Sequence, residues 1–325
     1  MRESFSQLSF RDLPQAFRLT GLDRTPLAGG GYRMEATLFH EEVTIDVAWK
    51  VKQPDTRLRP GVLVSPRSNG GAPLGGGVTD VARVVLLEYP IRTLDLFQTV
   101  PANWVPNRDL LERAGRLWGL LPLPWQELFN NVLWDSMRFY LVCVGPSSIS
   151  GHHSETNGNL RHMVETGEAA CALLPKYPAA HPHITLFAAL MHDVGKAVEY
   201  QPDPFGGWKM TTQGKLNGHK QIVGDWLSVA NSRLRLAIPP EHYDSMRHAI
   251  GASKGVKLES GYREPRTPEA RLVSLADQTS GSNDLFNRQA PEEPGWGKAH
   301  PHLGGMEPYL VVGRANSQGT RPAES

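Results

Sequence analysis

The sequence predicts an α+β protein of two domains, a small N-terminal β-barrel followed by an all-α helical bundle. Three observations predict it. The chain has 325 residues, more than one ordinary core needs. Apolar residues alternate with period two as far as about residue 90, and beyond Pro101 and Pro106 the period becomes helical.

The clearest strand runs from Val43 to Val51, where Val43, Ile45, Val47, Trp49 and Val51 share one face. Other strands are predicted over Ala16–Leu22, Tyr32–Phe39, Gly61–Ser65 and Val81–Glu88, with turns at Gly29–Gly31, His40–Glu42 and Pro54–Asp55. Residues 68–77 are rich in glycine but lack the Lys-Ser/Thr ending of a phosphate-binding loop, so they read as a hairpin loop. Helical periodicity begins with Leu110, Leu111, Ala114, Leu117 and Trp118 and continues with Leu128, Val132, Leu133, Met137 and Tyr140. Helices then follow to about Leu285, broken at Pro146, Pro175, Pro202, Pro239 and Pro265. From Asn287 onward Pro, Gly, Glu and Ser dominate, apart from a short strand near Tyr309. The expected division is therefore 1–100, 101–285 and a flexible tail over 286–325.

A net charge of +1 supplies no global attraction to polyanions, so any nucleic-acid site must be a local cluster. Cys143 and Cys171 make neither a disulfide framework nor a zinc-finger spacing. The opening residues lack a signal-peptide core, and no stretch reaches the roughly 18–20 apolar residues that a membrane span requires. A cytoplasmic protein without membrane contact is expected, its oligomeric state left open.

The chemistry gathers in the helical region. His192 and Asp193 close the apolar run Leu186–Met191 and precede Val194, Gly195 and Lys196; His162 lies one helix earlier, and His219, His248 and Asp277 follow at helix-sized intervals. A bare carboxylate ending an apolar helix is costly to bury unless a cation meets it, and Asp277 repeats that pattern. Imidazoles and carboxylates together suit divalent cations, which points first to a metal-dependent hydrolase.

This order of motifs resembles the HD superfamily of metal-dependent phosphohydrolases, whose signature is a histidine, then His-Asp, then a distant Asp; here these are His162, His192 with Asp193, and Asp277. The resemblance is closest to bacterial 3′-to-5′ exonucleases that join an OB fold to an HD domain, and extends to the HD region of conjugative relaxases. The stretch from His152 and His153 to His162, the Gly218-His219 step, and the last helix to Asp277 carry it. One departure stands out: where those relatives show Ser-His-His-Gly, this chain has Ala252, Ser253, Lys254 and Gly255.

The resemblance implies an OB-like barrel and one or two divalent ions per chain, manganese first, with magnesium, nickel, cobalt, iron or zinc as alternatives. His162, His192, Asp193 and Asp277 are the expected metal ligands, and a second ion would rely on His219, His248 and a bridging Asp193. Catalytic roles fall to Asp193, to Lys196 on the phosphate, and to His153 or His219 as proton donor to the leaving oxygen. Tyr32, Arg33, Lys50 and Lys52 on the barrel, with Lys254, are the expected contacts to single-stranded RNA or DNA. Phe39 and Trp49 fit stacking and core packing equally. Other readings are an HD nucleotide phosphohydrolase or phosphatase, a relaxase-like mobilisation protein, and a non-catalytic single-strand-binding module.

Overall fold

The structure, a computed structural model, describes residues 12–68, 77–234, 237–252 and 263–311. Contacts divide the chain into two units, Met1–Cys143 with Trp226–Ala237, and Val144–Asp225 with Ile238–Ser325.

The first unit is built on a curled sheet: β1 (Phe17–Pro26), β2 (Tyr32–Phe39), β3 (Thr44–Val51), β4 (Leu63–Arg67), β5 (Thr79–Asp80) and β6 (Arg83–Leu86), in the order β5-β3-β2-β1-β4-β6. All five expected strands form, and the two-residue β5 adds a parallel pairing to β3. The register sets Tyr32, Met34, Ala36 and Leu38 opposite Val51, Trp49, Val47 and Ile45, so one face of the β2–β3 hairpin fills the core. Trp49 is thereby a core residue, 4% exposed. A closed barrel is not what the described residues show, since no ladder joins β5 to β6. Strands of two and four residues leave too few backbone groups to complete one.

Helices α1 (Arg108–Gly119), α2 (Leu123–Leu133) and α3 (Ser136–Val144) follow. α1 starts where Asn107 Oδ1 caps Leu110 N at 3.4 Å, and it buries the apolar stripe read from the sequence. The stripe does not continue evenly: Asp135 caps a new helix at Arg138 N, and Met137 is left 57% exposed. Contacts place these helices with the sheet, although the sequence sets a boundary near residue 101. The reason lies in the connecting segment. The Asn130 amide donates to the carbonyls of Ile91 and Leu94, both at 2.8 Å, and Phe97 packs on Phe129 and Phe139. Arg18 of β1 is buried, donating to Gly61 O at 2.9 Å and Thr99 Oγ1 at 2.7 Å, with its guanidinium over the Trp104 and Phe139 rings.

Asp95 caps the short 3₁₀ turn Leu96–Thr99 through Phe97 N at 2.9 Å. Burial pushes its carboxyl up to about 7, against the pull of the Phe97 N–H and with a further push from Glu41. The folded state then holds a proton that the unfolded chain releases near pH 4, so this group's contribution to stability is lost as pH rises from about 4 to 7. Asp95→Asn keeps the cap acceptor and removes that loss. Its melting temperature relative to the parent is expected to be higher at pH 8 than at pH 5; an offset equal at both pH values would refute this.

In the second unit, α4 (Gly158–Leu173), α5 (Pro182–Met191), the single turn α6 (Lys196–Glu199), the first half of α7 (Thr212–Arg233), α8 (Pro240–Gly251) and α9 (Pro268–Gln289) form the bundle, with a small hairpin of β7 (Tyr200–Pro202) and β8 (Trp208–Met210). α5 buries every residue from Ile184 to Met191, which is why its hydrophobic run has no polar face. Glu269 of α9 accepts from His181 N at 2.8 Å and Ser245 Oγ at 3.3 Å, tying α9 to the start of α5 and the middle of α8. Within the segment expected as a flexible tail, β9 (Gly295–Trp296) and β10 (Tyr309–Leu310) pair, with the Trp296 and Tyr309 rings 5.1 Å apart. Its Pro and Gly residues mark turns such as Pro301–Gly304. Among the described residues no helix is long and apolar enough to cross a membrane.

Candidate metal centre

The centre lies wholly within the second unit. His162 sits one turn into α4 and is fully buried; His192 caps the C-terminus of α5, with Asp193 directly after it; Asp277 projects from the middle of α9. His162 Nε2 lies 3.3 Å from His192 Nε2, 3.3 Å from Asp193 Oδ2 and 3.1 Å from Asp277 Oδ1. His192 Nε2 is 3.5 Å from Asp193 Oδ2 and 3.8 Å from Asp277 Oδ1. Ligands about 2.1 Å from one tetrahedral ion stand about 3.4 Å apart, so the His162, His192 and Asp193 atoms fit a common cation, with Asp277 beside both imidazoles.

The hydrogen bonds around the two imidazoles decide which ring atom faces inward. His192 Nδ1–H donates to Ala189 O at 2.8 Å, and a carbonyl can only accept, so Nε2 turns its lone pair toward the centre. Ser280 gives its single proton to Glu165 Oε2 at 2.9 Å, so its oxygen accepts from His162 Nδ1–H at 3.0 Å. Two nitrogen lone pairs thus face each other beside two carboxylate oxygens. Four acceptors at such spacing repel one another unless a cation or a proton stands among them. The proton's version of this balance is visible in the charges: burial works against a positive His192, but Asp193 and Asp277 outweigh it and raise its pKa. Burial likewise opposes charge on both carboxylates, yet His192 with Lys196 holds Asp193, and His162 with His192 holds Asp277, well below the usual range. Two imidazoles and two carboxylates fit borderline divalent cations such as manganese, iron, cobalt, zinc or nickel.

Further residues extend the set. Asp193 uses both oxygens, since Oδ1 lies 3.2 Å from His219 Nε2, whose Nδ1 donates to Glu199 Oε2 at 2.7 Å. His219 reaches this position because α7 is broken at Gly218, φ 69° and ψ 159°, which only glycine adopts freely. Gly195 allows the close approach from the other side, for a Cβ there would lie 2.3 Å from His219 O. Lys196 is 9% exposed, and its ammonium binds Asp193 Oδ2 and Ser147 Oγ. In this arrangement it neutralises Asp193 from within the fold.

The adjacent histidines separate. His152 faces the centre, its ring 4.8 Å from that of His162, and it forms a potential ligand group with His162 and Asp277. Its Nε2 is buried without a hydrogen-bond partner, and burial, followed by the nearby His162 and Lys196, pushes its pKa down to about 4. His153, expected to donate a proton to the leaving group, lies behind: it is 1% exposed, and its Nε2 meets Ser280 Oγ at 3.1 Å and Glu165 Oε2 at 3.2 Å. His248 stands apart from these ligand atoms, its Nε2 accepting from Arg266 N at 3.0 Å. Glu165, Ser280 and Glu199 escaped the sequence reading. The signal available was spacing: Asp277, Ser280 and Asp284 recur at three and four residues along one face of α9.

On the sheet, Lys50 and Lys52 are exposed. Arg33 is engaged by Glu35 at 2.7 Å, and Tyr32 packs against the core because it shares the face of Met34. Lys254 lies outside the described residues.

Residues 159–282 match the HD domain family. The chain is similar to the 3′-5′ exoribonuclease YhaM of Geobacillus sp. (strain WCH70), with 25% identity over 200 residues, which cover 61% of this chain and 59% of that one. The chain thus spans less than two thirds of that relative's length. No solved structure matches it. His162, His192, Asp193 and Asp277 all lie within the segment that matches the HD domain, and the chain resembles YhaM-like exonucleases.

Proposed function

We propose that this protein is a metal-dependent phosphodiesterase that removes nucleotides from the 3′ end of single-stranded RNA or DNA. The observation that carries the reading is the convergence of His192, Asp193 and Asp277 on His162 Nε2, each with an atom 3.1–3.3 Å from it, with His162, His192 and Asp193 forming one potential ligand group. The similarity to an exoribonuclease supports the choice of substrate class.

A divalent cation bound here, manganese first among the candidates, would supply an activated water and neutralise a non-bridging phosphate oxygen. His162, His192, Asp193 and Asp277 would hold it. The second oxygen of Asp193 addresses His219 Nε2, and Glu199 accepts from Nδ1; the neutral ring would offer its Nε2 lone pair to a second ion, and the doubly protonated ring would give its Nε2 proton to the departing oxygen. Asp277, with its side chain 42% exposed, marks the open side of the centre, where a phosphate enters. Lys220, whose pKa burial lowers against the pull of Asp193 and Asp277, donates to Ala252 O at 2.7 Å and is a further candidate for phosphate binding.

In the first unit, an OB-like reading of the curled sheet supports a polymeric substrate. Lys50 and Lys52 offer backbone contacts, and a cavity of about 310 Å3 has Trp104, Tyr140, Met137, Arg59 and Asn103 in its lining. Flat aromatic walls with an arginine at hand suit a stacked base. A nucleotide phosphohydrolase is the second reading, favoured by one observation: the sheet face bearing Arg33 and Lys50 also carries Glu35 and Asp46, which weakens a polyanion track.

End-labelled single-stranded RNA and DNA, incubated with several divalent ions in turn, are expected to shorten stepwise from the 3′ end and to stay intact in EDTA. Release of inorganic phosphate from nucleotides with oligomers unshortened would replace the first reading by the second.

A further inference from the structure

Behind the metal centre, on the opposite side of the His153 ring, three more ligand atoms converge. His153 Nδ1 lies 3.8 Å from Glu155 Oε1 and 3.7 Å from Asp284 Oδ1. Glu155 comes from the loop before α4 and Asp284 from the last turns of α9, two turns beyond Asp277. We propose that His153, Glu155 and Asp284 form a separate divalent-cation site, which clamps the loop over residues 151–157 onto α9.

An acidic pair beside a histidine is by itself commonplace; what sets this one apart is the placement of the imidazole. His153 is 1% exposed, and its Nδ1 has no hydrogen-bond partner. Its other nitrogen is committed. Ser280 gives its proton to Glu165, so Nε2 of His153 can only donate to that pair of oxygens, at 3.1 and 3.2 Å. Nδ1 is therefore left aimed at two carboxylate oxygens that are also acceptors. The separations exceed a hydrogen bond but approach the edge of about 3.4 Å between ligands that share an ion about 2.1 Å from each. Nor is the ring placed there by default: His153 takes a φ of +46°, a left-handed conformation unfavourable for a residue with a Cβ, and its backbone N–H is tied to Asp284 Oδ2 at 2.8 Å.

The charges around the site set its strength. Arg161 Nε approaches Glu155 Oε1 at 3.4 Å, and Arg288 Nε approaches Asp284 Oδ2 at 3.7 Å while Arg288 also donates to Ser154 Oγ at 2.8 Å. Both guanidiniums compete with a cation for the carboxylates, so this site binds more weakly than the main centre. Glu155 is 41% exposed and gives the ion its entry. One nitrogen and two carboxylate oxygens suit manganese, zinc or cobalt. Ser280 joins the two sites, touching His153 on one side and His162 on the other.

The proposal stands independently of any hydrolase activity and is tested by counting bound ions. Chelator-stripped full-length protein carrying Asp193→Asn, which disables the main centre, is titrated with Mn2+ by calorimetry and by loss of the free-ion paramagnetic resonance signal. It is expected to retain one equivalent, raise its melting temperature with Mn2+, and lose both properties when Glu155→Gln is added. Because Glu155 is a surface carboxylate, that substitution leaves folding intact, and circular dichroism checks it. Two results overturn the site: Asp193→Asn binds no Mn2+ while folded, or the double variant binds as much as the single one.

Discussion

Asp193→Asn is expected to lower metal-dependent hydrolysis by about a thousandfold or more while the protein stays folded. Both carboxylate oxygens are used: Oδ2 faces His162 and His192 and binds Lys196, and Oδ1 faces His219. The amide carries no charge, and its NH2 can only donate, so one of the two directions loses its acceptor outright. Lys196 is also left buried without its carboxylate, which destabilises the fold by a few kcal/mol. Melting curves and circular dichroism separate that loss from the loss of rate. Strand binding is expected to survive, since Lys50, Lys52 and the cavity lined by Trp104 belong to the other unit. Hydrolysis by the folded variant within tenfold of the parent would remove Asp193 from the chemistry.

Ser280→Ala is expected to raise the dissociation constant for Mn2+ at the main centre by about 10–100-fold, although serine touches no ion. Its oxygen accepts from His162 Nδ1–H and its proton goes to Glu165, an arrangement that fixes the His162 tautomer and ring angle. Without it, Nδ1 of a fully buried imidazole is left beside a methyl group. The ring can then rotate or shift its proton to Nε2, where it blocks ligation. Because the ligands themselves remain, hydrolysis at saturating Mn2+ is expected to recover to near the parent rate. A Mn2+ affinity unchanged by the substitution would show that Ser280 only fills space.

The four residues nominated for the metal lie close together in the fold: Asp193 and Asp277 each follow an apolar helical run with a group that is costly to bury alone, whereas His162 is singled out by the family resemblance. The layer behind them is silent in the sequence. Glu165, Ser280, Glu199 and Asp284 are residue types that most helices carry on solvated faces; the packing of α4 against α9 turns Glu165, Ser280 and Asp284 inward, and His219 of α7 engages Glu199 of α6. The neighbouring histidines make the same point. Nothing in the order His152, His153 says which one faces the cation; a left-handed backbone at His153 sends the rings to different sides. Tyr32 reads as a surface aromatic until the register with Val51 puts it on the core face, and Arg33 reads as a free cation until the fold presents Glu35 and Asp80 to it.

The sequence by itself determined the succession of a strand-rich region and a helical one, the apolar stripes that bury α1 and α5, and the two carboxylates, Asp193 and Asp277, at which charge meets a hydrophobic run. These follow from local periodicity and from the cost of burying a carboxylate, which neighbours along the chain already express. Tertiary structure alone decided the tautomers of His162 and His192, the inward turn of Lys196, the separation of His248 from the ligand atoms, and the pairing of His153 with Glu155 and Asp284. Hydrogen-bond direction and charge compensation depend on distances of 3 to 4 Å between residues as far apart as His153 and Asp284, and no pattern along one chain encodes those distances.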